Sequence, residues 1–362
     1  MPKILITISV LILASLLGCQ AETTLPPTPP PLAKTLLFYD WAGYMPQAVL
    51  DAFQAEYGVE VTYLVYETQE EAIANMRAGE VYDVVVMGDP FIPQLVNDGL
   101  LAEIDYQNVP NFKNISANFR DLTFDPGNKH SIPLQWGTSG LVVRSDLIQE
   151  PATRWADLWD PRYRGQVGIW ALPRSAIGIS LKSLGYSANS ENPAELEAAS
   201  KRLLELKANS FLIDLNLATA TSFLVSGEAV MVYGWPYDAL DAGQQNDAVT
   251  YVLPEEGSLL WSDHLVIPAN SAHKYTAEIF LNFLLRPEIS AQIINEIYTA
   301  TPNEAARPFV RPDILDDPII FPPNEMLQKA ELILPLSPAG QQLYNKIWEQ
   351  FLAAPDQQES AP

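Results

Sequence analysis

Between Leu36 and Gly99 the chain alternates short apolar strands with amphipathic helices, and that alternation leaves few folds open. Leu36–Tyr39 reads as a short buried strand. Met45–Tyr57 carries Val49, Ala52, Phe53 and Tyr57 at helical spacing and stops at Gly58. Val59–Tyr66 alternates as a strand, Thr68 caps a helix running through Arg77 to Gly79, and Tyr82–Met87 is a second apolar strand. Pro90–Asp98 closes the series as a helix ended by Gly99. Strands separated by helices imply a parallel, doubly wound α/β sheet, in which ligands bind beyond the carboxyl ends of the strands. Those ends carry Asp40-Trp41-Ala42-Gly43-Tyr44 and Gly88-Asp89-Pro90-Phe91.

A second α/β block runs from about Leu141 to Trp261, with strands at Val167–Trp170 and Val230–Tyr233 and a strong helix over Asn192–Lys207. Beyond the later strand lies Gly234-Trp235-Pro236-Tyr237-Asp238, again aromatic and acidic. Leu265–Pro268 returns to strand character. Helices follow over Thr276–Leu285 and Glu288–Tyr298, separated by Arg286-Pro287.

The N-terminus is of another kind. Lys3 precedes an apolar run, Ile4–Leu17, short of the ~20 residues that a bilayer span needs and suited to a signal peptide over residues 1–18. It ends in Leu16-Leu17-Gly18-Cys19, which resembles the lipobox of bacterial lipoproteins, with Cys19 acylated and tethering the chain to a membrane outside the cytoplasm. Cys19 is the only cysteine, so no internal disulfide can form. Residues 19–34, rich in proline, read as an extended spacer, and residues 354–362 as a flexible tail. With 44 acidic against 21 basic residues the net charge is −23, a field that repels nucleic acid and attracts cations.

Reaction chemistry is hard to find. No GxxxxGK, GxGxxG or GxSxG motif is present, and His130, His264 and His273 do not fall at metal-ligand spacing. No cofactor is implied, and an extracytoplasmic enzyme stands only as the competing class. What remains are tryptophans, tyrosines and acids expected in loops: Trp41, Tyr44, Asp89, Trp235, Tyr237, Asp238, Trp261 and Asp263. An ammonium over an aromatic face gains about 0.5–2 kcal/mol as it loses water, and a carboxylate adds a charge-assisted hydrogen bond. An alkyl amine uses both.

From Leu36 to about Phe351 the chain is similar to the periplasmic spermidine/putrescine-binding proteins of polyamine ABC transporters. The likeness rests on Leu37-Phe38-Tyr39-Asp40-Trp41 with Tyr44-Met45-Pro46, on Tyr82–Val86, on Ser131-Ile132-Pro133 with Trp136-Gly137, and on Trp155–Trp159. The late block Leu260–Asn270 is the most specific, continuing into Asn282–Glu288 and Thr301-Pro302-Asn303. The resemblance implies a type II periplasmic-binding fold of two α/β lobes with a ligand cleft between them. Lobe 1 would comprise 35–138 and 264–304, and lobe 2 residues 139–263 and 305–353. It further implies a monomer that delivers its ligand to a permease and its ATPase.

Trp41 and Tyr44 then resemble the first-lobe aromatic wall, Trp235 and Trp261 complete the box, and Asp263 resembles the ammonium anchor. The departures are Leu172 and Ser175 where the resemblance expects two acids, Gly88 and Pro90 in place of a serine and a tyrosine, and Leu334 in place of a glutamine. Either Asp89, Asp238 or Asp40 supplies the missing anion for putrescine or spermidine, or the ligand is a singly charged amine, opine or amino acid whose far end is neutral or meets Arg174.

Overall fold

A computed structural model of the chain describes residues 29–214 and 219–355. Cys19, the signal segment, most of the proline-rich spacer and the end of the tail lie outside the described residues. The body from Leu32 onward is one compact unit. Its strands are β1 (Thr35–Trp41), β2 (Glu60–Tyr66), β3 (Val84–Gly88), β4 (Ser131–Arg144), β5 (Val167–Trp170), β6 (Ser210–Ile213), β7 (Met231–Gly234), β8 (Val249–Val252), β9 (Leu259–Val266) and β10 (Glu331–Leu332). They run in the order β2-β1-β3-β9-β4-β7-β5-β6, with β10 beside β9 and β8 beside β4.

The two ends of this sheet are parallel: β1 pairs with β2 and β3, and β5 with β6 and β7. The helices between them form where the sequence places them. Gln47–Tyr57 ends at Gly58 in the left-handed region, where a residue without Cβ is unstrained, and Thr68 accepts the Glu71 N–H at the head of Gln69–Arg77. These right-handed β-α-β units put the ends of β1, β3, β5 and β7 toward the middle of the molecule.

Two large apolar cores result. One gathers Phe38, Phe53, Val84, Ile132, Leu265, Phe280 and Phe283; the other gathers Leu141, Trp155, Ile169, Leu203, Val232, Leu259, Tyr344 and Phe351. β4 and β9 each run from one core into the other, as Ile132 against Leu141 and Leu265 against Leu259 show. They pair antiparallel over Ser131–Ser139 and Leu259–Val266. A third connection follows the Pro287–Ile297 helix, where Ala300 bridges to Trp136.

The periodicity reading underestimates both crossing strands. β4 is buried along almost its whole length, so it shows no period-2 alternation, and Gly137 and Gly140 interrupt its apolar run. β9 begins six residues before Leu265 because β3, β4 and β10 all pair with it, which holds Trp261 and Asp263 in a strand rather than a loop.

Trp155 anchors the second core. It is fully buried, its indole N–H donates to Gly257 O at 3.0 Å and its backbone N–H donates to Glu256 Oε2 at 3.0 Å. Trp155→Ala should lower unfolding free energy by about 3–5 kcal/mol, read as a lower urea midpoint at unchanged slope. A loss below about 1 kcal/mol would contradict its anchoring role.

Candidate functional site

Asp263 sits mid-strand on β9, opposite Gly88 of β3 on one side and Gln135 of β4 on the other. Two residues along the same face is Trp261, whose cross-strand partner is Gly137. The indole lies directly over that glycine: a Cβ at position 137 would stand 2.3 Å from the ring, and Trp261 Nε1–H donates to Thr138 O at 3.4 Å. No other residue permits that approach. A carboxylate and a tryptophan are thus fixed side by side by strand pairing alone.

β1 delivers the next wall. Trp41 ends the strand, its ring 4.7 Å from Tyr66 and 6.4 Å from Tyr44. Tyr66 O–H donates to Val86 O at 2.8 Å, and Tyr63 O–H donates to Trp41 O while standing 3.4 Å from Asp40 Oδ2. Asp40 is fully buried and takes the Trp41 N–H at 2.7 Å. Burial, and the nearby charges of Asp263, Asp40 and Asp238, hold the Tyr44 hydroxyl well above its ordinary pKa. Tyr44 therefore faces carboxylates carried by β1, by β9 and by the helix after β7.

That helix, Pro236–Gln245, starts where β7 ends. Trp235 precedes it, and Asp238 Oδ2 accepts the Trp235 N–H at 2.9 Å, capping the first turn. Tyr237 points outward and is exposed. Trp235 packs 5.4 Å from Trp170 and 5.9 Å from Tyr233. The structure so brings Trp41, Tyr44, Asp40, Asp238, Trp261 and Asp263 to one region, from strands that diverge elsewhere.

Asp89 takes a different place. It is fully buried in the turn after β3, with its Oδ1 2.6 Å from His264 Nε2. His264 follows Asp263 on the strand and so faces the other side of the sheet. Ser262 Oγ is 3.1 Å from that same Nε2. Serine and aspartate meeting one ring nitrogen cannot form a proton relay, and none of the three reaches the surface. Among the described residues no cluster of histidine, cysteine and acid can hold a metal ion.

Arg174 is committed too. Its guanidinium donates to Ala188 O, Asn189 Oδ1 and Leu334 O and stacks on Tyr344, away from any free carboxylate. Leu172 packs against the second core, and Ser175 together with Ser139 hydrogen-bonds the Tyr233 hydroxyl.

Sequence reasoning missed Trp170, Gln135, Tyr66 and Tyr251. Trp170 ends β5 as Trp41 ends β1, so the strand-end rule applied there would have found it. Its indole N–H is buried and meets no acceptor among the described residues. Tyr251 lies over Gly140 and shares hydrogen bonds with Thr138 on the crossing strand. No local pattern marks it.

Burial pushes Asp263 up to about 7, with the Asp89 charge adding to the rise and Gln135 opposing it. Burial likewise raises Asp238 to about 7, against the Trp235 N–H. Asp40 lies well above the ordinary range, chiefly through burial and then the Asp263 charge, against the opposing Trp41 N–H. No lysine or arginine among the described residues opposes these charges. Held part-protonated near neutral pH and able to ionise, they are suited to a cation that brings its own charge.

Folded protein holds the Asp263 proton to about pH 7, whereas an unfolded chain releases it near 4. The folded state therefore binds more protons between those values, and Asp263 removes stability as pH rises through them. Asp263→Asn should match wild type near pH 4 and exceed it by a few kcal/mol at pH 8 in urea unfolding without added ligand. A variant no more stable at pH 8 would show that the carboxylate is not penalised.

A family model described as bacterial extracellular solute-binding protein matches residues 48–322. The spermidine/putrescine-binding periplasmic protein of Escherichia coli is 34% identical over 300 residues, 82% of this chain and 86% of that one. The putrescine-binding periplasmic protein SpuD of Pseudomonas aeruginosa is 30% identical over 335 residues, 87% and 91% of the two chains. Among solved structures, the spermidine/putrescine ABC transporter substrate-binding protein PotD from Streptococcus pneumoniae superposes with a TM-score of 0.80 at 28% identity, covering 88% of this chain and 99% of its own.

Proposed function

We propose that this chain, which belongs to the bacterial extracellular solute-binding proteins, captures a putrescine- or spermidine-like polyamine and delivers it to an ABC permease and its ATPase. The observation that carries this reading is Asp263: a buried carboxylate beside Trp261, within the field of Asp40 and Tyr44, with no basic partner among the described residues. One ligand ammonium meets Asp263, its methylenes lie between Trp41, Tyr44, Trp261 and Trp235, and its far ammonium meets Asp238. Asp89 acts on the site through its charge, since His264 occupies its carboxylate. The body closes as two lobes, 35–138 with 264–304 and 139–263 with 305–353, and the closed form is what the permease recognises. It binds as a monomer and transforms nothing. Ala188 O, Asn189 Oδ1 and Leu334 O already take the terminal nitrogens of the Arg174 guanidinium, which favours the polyamine over an opine or amino acid.

Binding an ammonium requires Asp263 and Asp238 ionised, so protons are released at pH below about 7. Putrescine affinity should therefore be flat above about pH 8 and fall by up to tenfold per carboxyl for each pH unit below 7. Calorimetry at pH 6 and 8.5 checks this, since the amines stay charged throughout. Asp263→Asn should weaken binding by about 2–5 kcal/mol, and Trp261→Ala or Trp235→Ala by about 1–3 kcal/mol each. If neither polyamine binds below about 100 µM while a singly charged amine does, the ligand assignment fails and the receptor reading stands.

The family works outside the cytoplasm. To that we add a lipid anchor on Cys19, read from Leu16-Leu17-Gly18-Cys19. Metabolic labelling with a fatty-acid analogue should mark wild type and leave Cys19→Ser unlabelled. Equal label on both would remove the anchor from the proposal.

A further inference from the structure

We propose that Gln135, held in place by Thr299, is the positioning residue for Asp263, fixing the orientation of its carboxylate from the neighbouring crossing strand. The inference rests on the proposed amine site and goes beyond it to a residue that touches no ligand.

Strand register makes the first argument. β4 pairs with β9 from Ser131 to Ser139, but the register shifts between Pro133 and Gln135. The shift leaves Leu134 without a cross-strand partner and sets Gln135 directly opposite Asp263. Without it, Leu134 would take that place, and an apolar side chain would face the carboxylate. Cross-strand partners share a face, so the Gln135 amide and the Asp263 carboxylate point the same way.

The second argument is the amide's own orientation. Thr299 Oγ1–H donates to Gln135 Oε1 at 3.1 Å. That engages the amide oxygen and directs the NH2 group away from it. Nε2 is buried and makes no closed hydrogen bond, although Gln135 is fully buried. A buried amide donor without an acceptor is costly, so the nearest anionic group matters. The group that it faces is Asp263, which it stabilises in the ionised form.

The third argument is placement. Gln135 lies on β4, Asp263 on β9 and Thr299 on the third connection, beside the Trp136–Ala300 bridge. All three routes between the two cores meet at one chain of side chains. The other groups that face Asp263 are Asp40 on β1, Tyr44 after β1, Tyr66 on β2 and Asp89 after β3. Its strand neighbour His264 is turned toward Asp89. All except His264 are acids or phenols, and none of them can steady an ionised carboxylate by charge. Gln135 is the amide donor among them, set directly across the ladder from Asp263.

The test reads Asp263 itself, by carbon-13 carboxyl titration with the resonance assigned through Asp263→Asn. Wild type should titrate near 7. Gln135→Met keeps the length without the donor, and should move the midpoint up by about one pH unit. Thr299→Val frees the amide to turn and should move it the same way by less, whereas Thr299→Ser should restore it. Putrescine affinity should then change less than about threefold at pH 8.5 and fall about tenfold at pH 6.5 in Gln135→Met. Midpoints unmoved in both Gln135→Met and Thr299→Val, or an affinity loss equal at both pH values, would overturn the proposal. Wild type that binds no amine would sink the functional reading alone, because the titration decides the role of Gln135 without ligand.

Discussion

The pairing of β4 with β9 is the constraint on which everything else hangs. Both strands pass from one apolar core to the other, so they are the backbone common to both halves of the body. Their cross-strand pairs also compose the site, since Gln135 meets Asp263 and Gly137 meets Trp261. The same hydrogen bonds that hold the halves together thus set the distance between the Asp263 carboxylate and the Trp261 indole. A displacement along this ladder by one residue would turn Asp263 to the side that His264 now occupies and carry Trp261 off its glycine. Few other places in the fold combine so much mechanical and chemical consequence.

Around that ladder the molecule keeps an electrostatic deficit. Asp40, Asp238 and Asp263 are buried without a basic partner among the described residues. Elsewhere the chain handles buried acids in the ordinary way. Asp125 accepts the His130 and Ser131 N–H groups and the Ser131 hydroxyl, and Asp83 takes the Leu37 N–H and the Ser271 hydroxyl. Asp263 has a single amide facing it. The contrast leaves Asp263 as a buried acid whose ionisation costs stability.

Much of this was legible in the sequence because it is local. The β-α-β order from Leu36 to Gly99, the Thr68 cap and the aromatic-acidic ends of β1 and β7 all follow from periodicity and end signals. Trp41, Tyr44, Trp235 and Asp238 were singled out by that logic. What escaped depends on pairing across long separations. β4 is buried throughout and carries no alternation, so neither its length nor the shift that selects Gln135 can be read locally. Asp89 looked like a cleft acid because it follows a strand, and only the fold reveals the imidazole 2.6 Å from it. Trp170 was overlooked although its strand was recognised.

On the second-core side of the candidate site, positions 172 and 175 serve packing. Where the resemblance expects two acids, Leu172 joins the core and Ser175 supports the Tyr233 hydroxyl with Ser139. Tyr233 in turn packs on Trp235, and Trp170 lies on the other side of that indole. The acid on this side is Asp238, set three residues past Trp235 at a helix start, where the capping contact fixes the carboxylate to the backbone that carries the tryptophan. A displacement of the Trp235 backbone therefore carries the carboxylate with it. Wall and anion move as one piece, whereas acids at positions 172 and 175 would have belonged to a different helix, Pro173–Ser183, and would have answered to its motion.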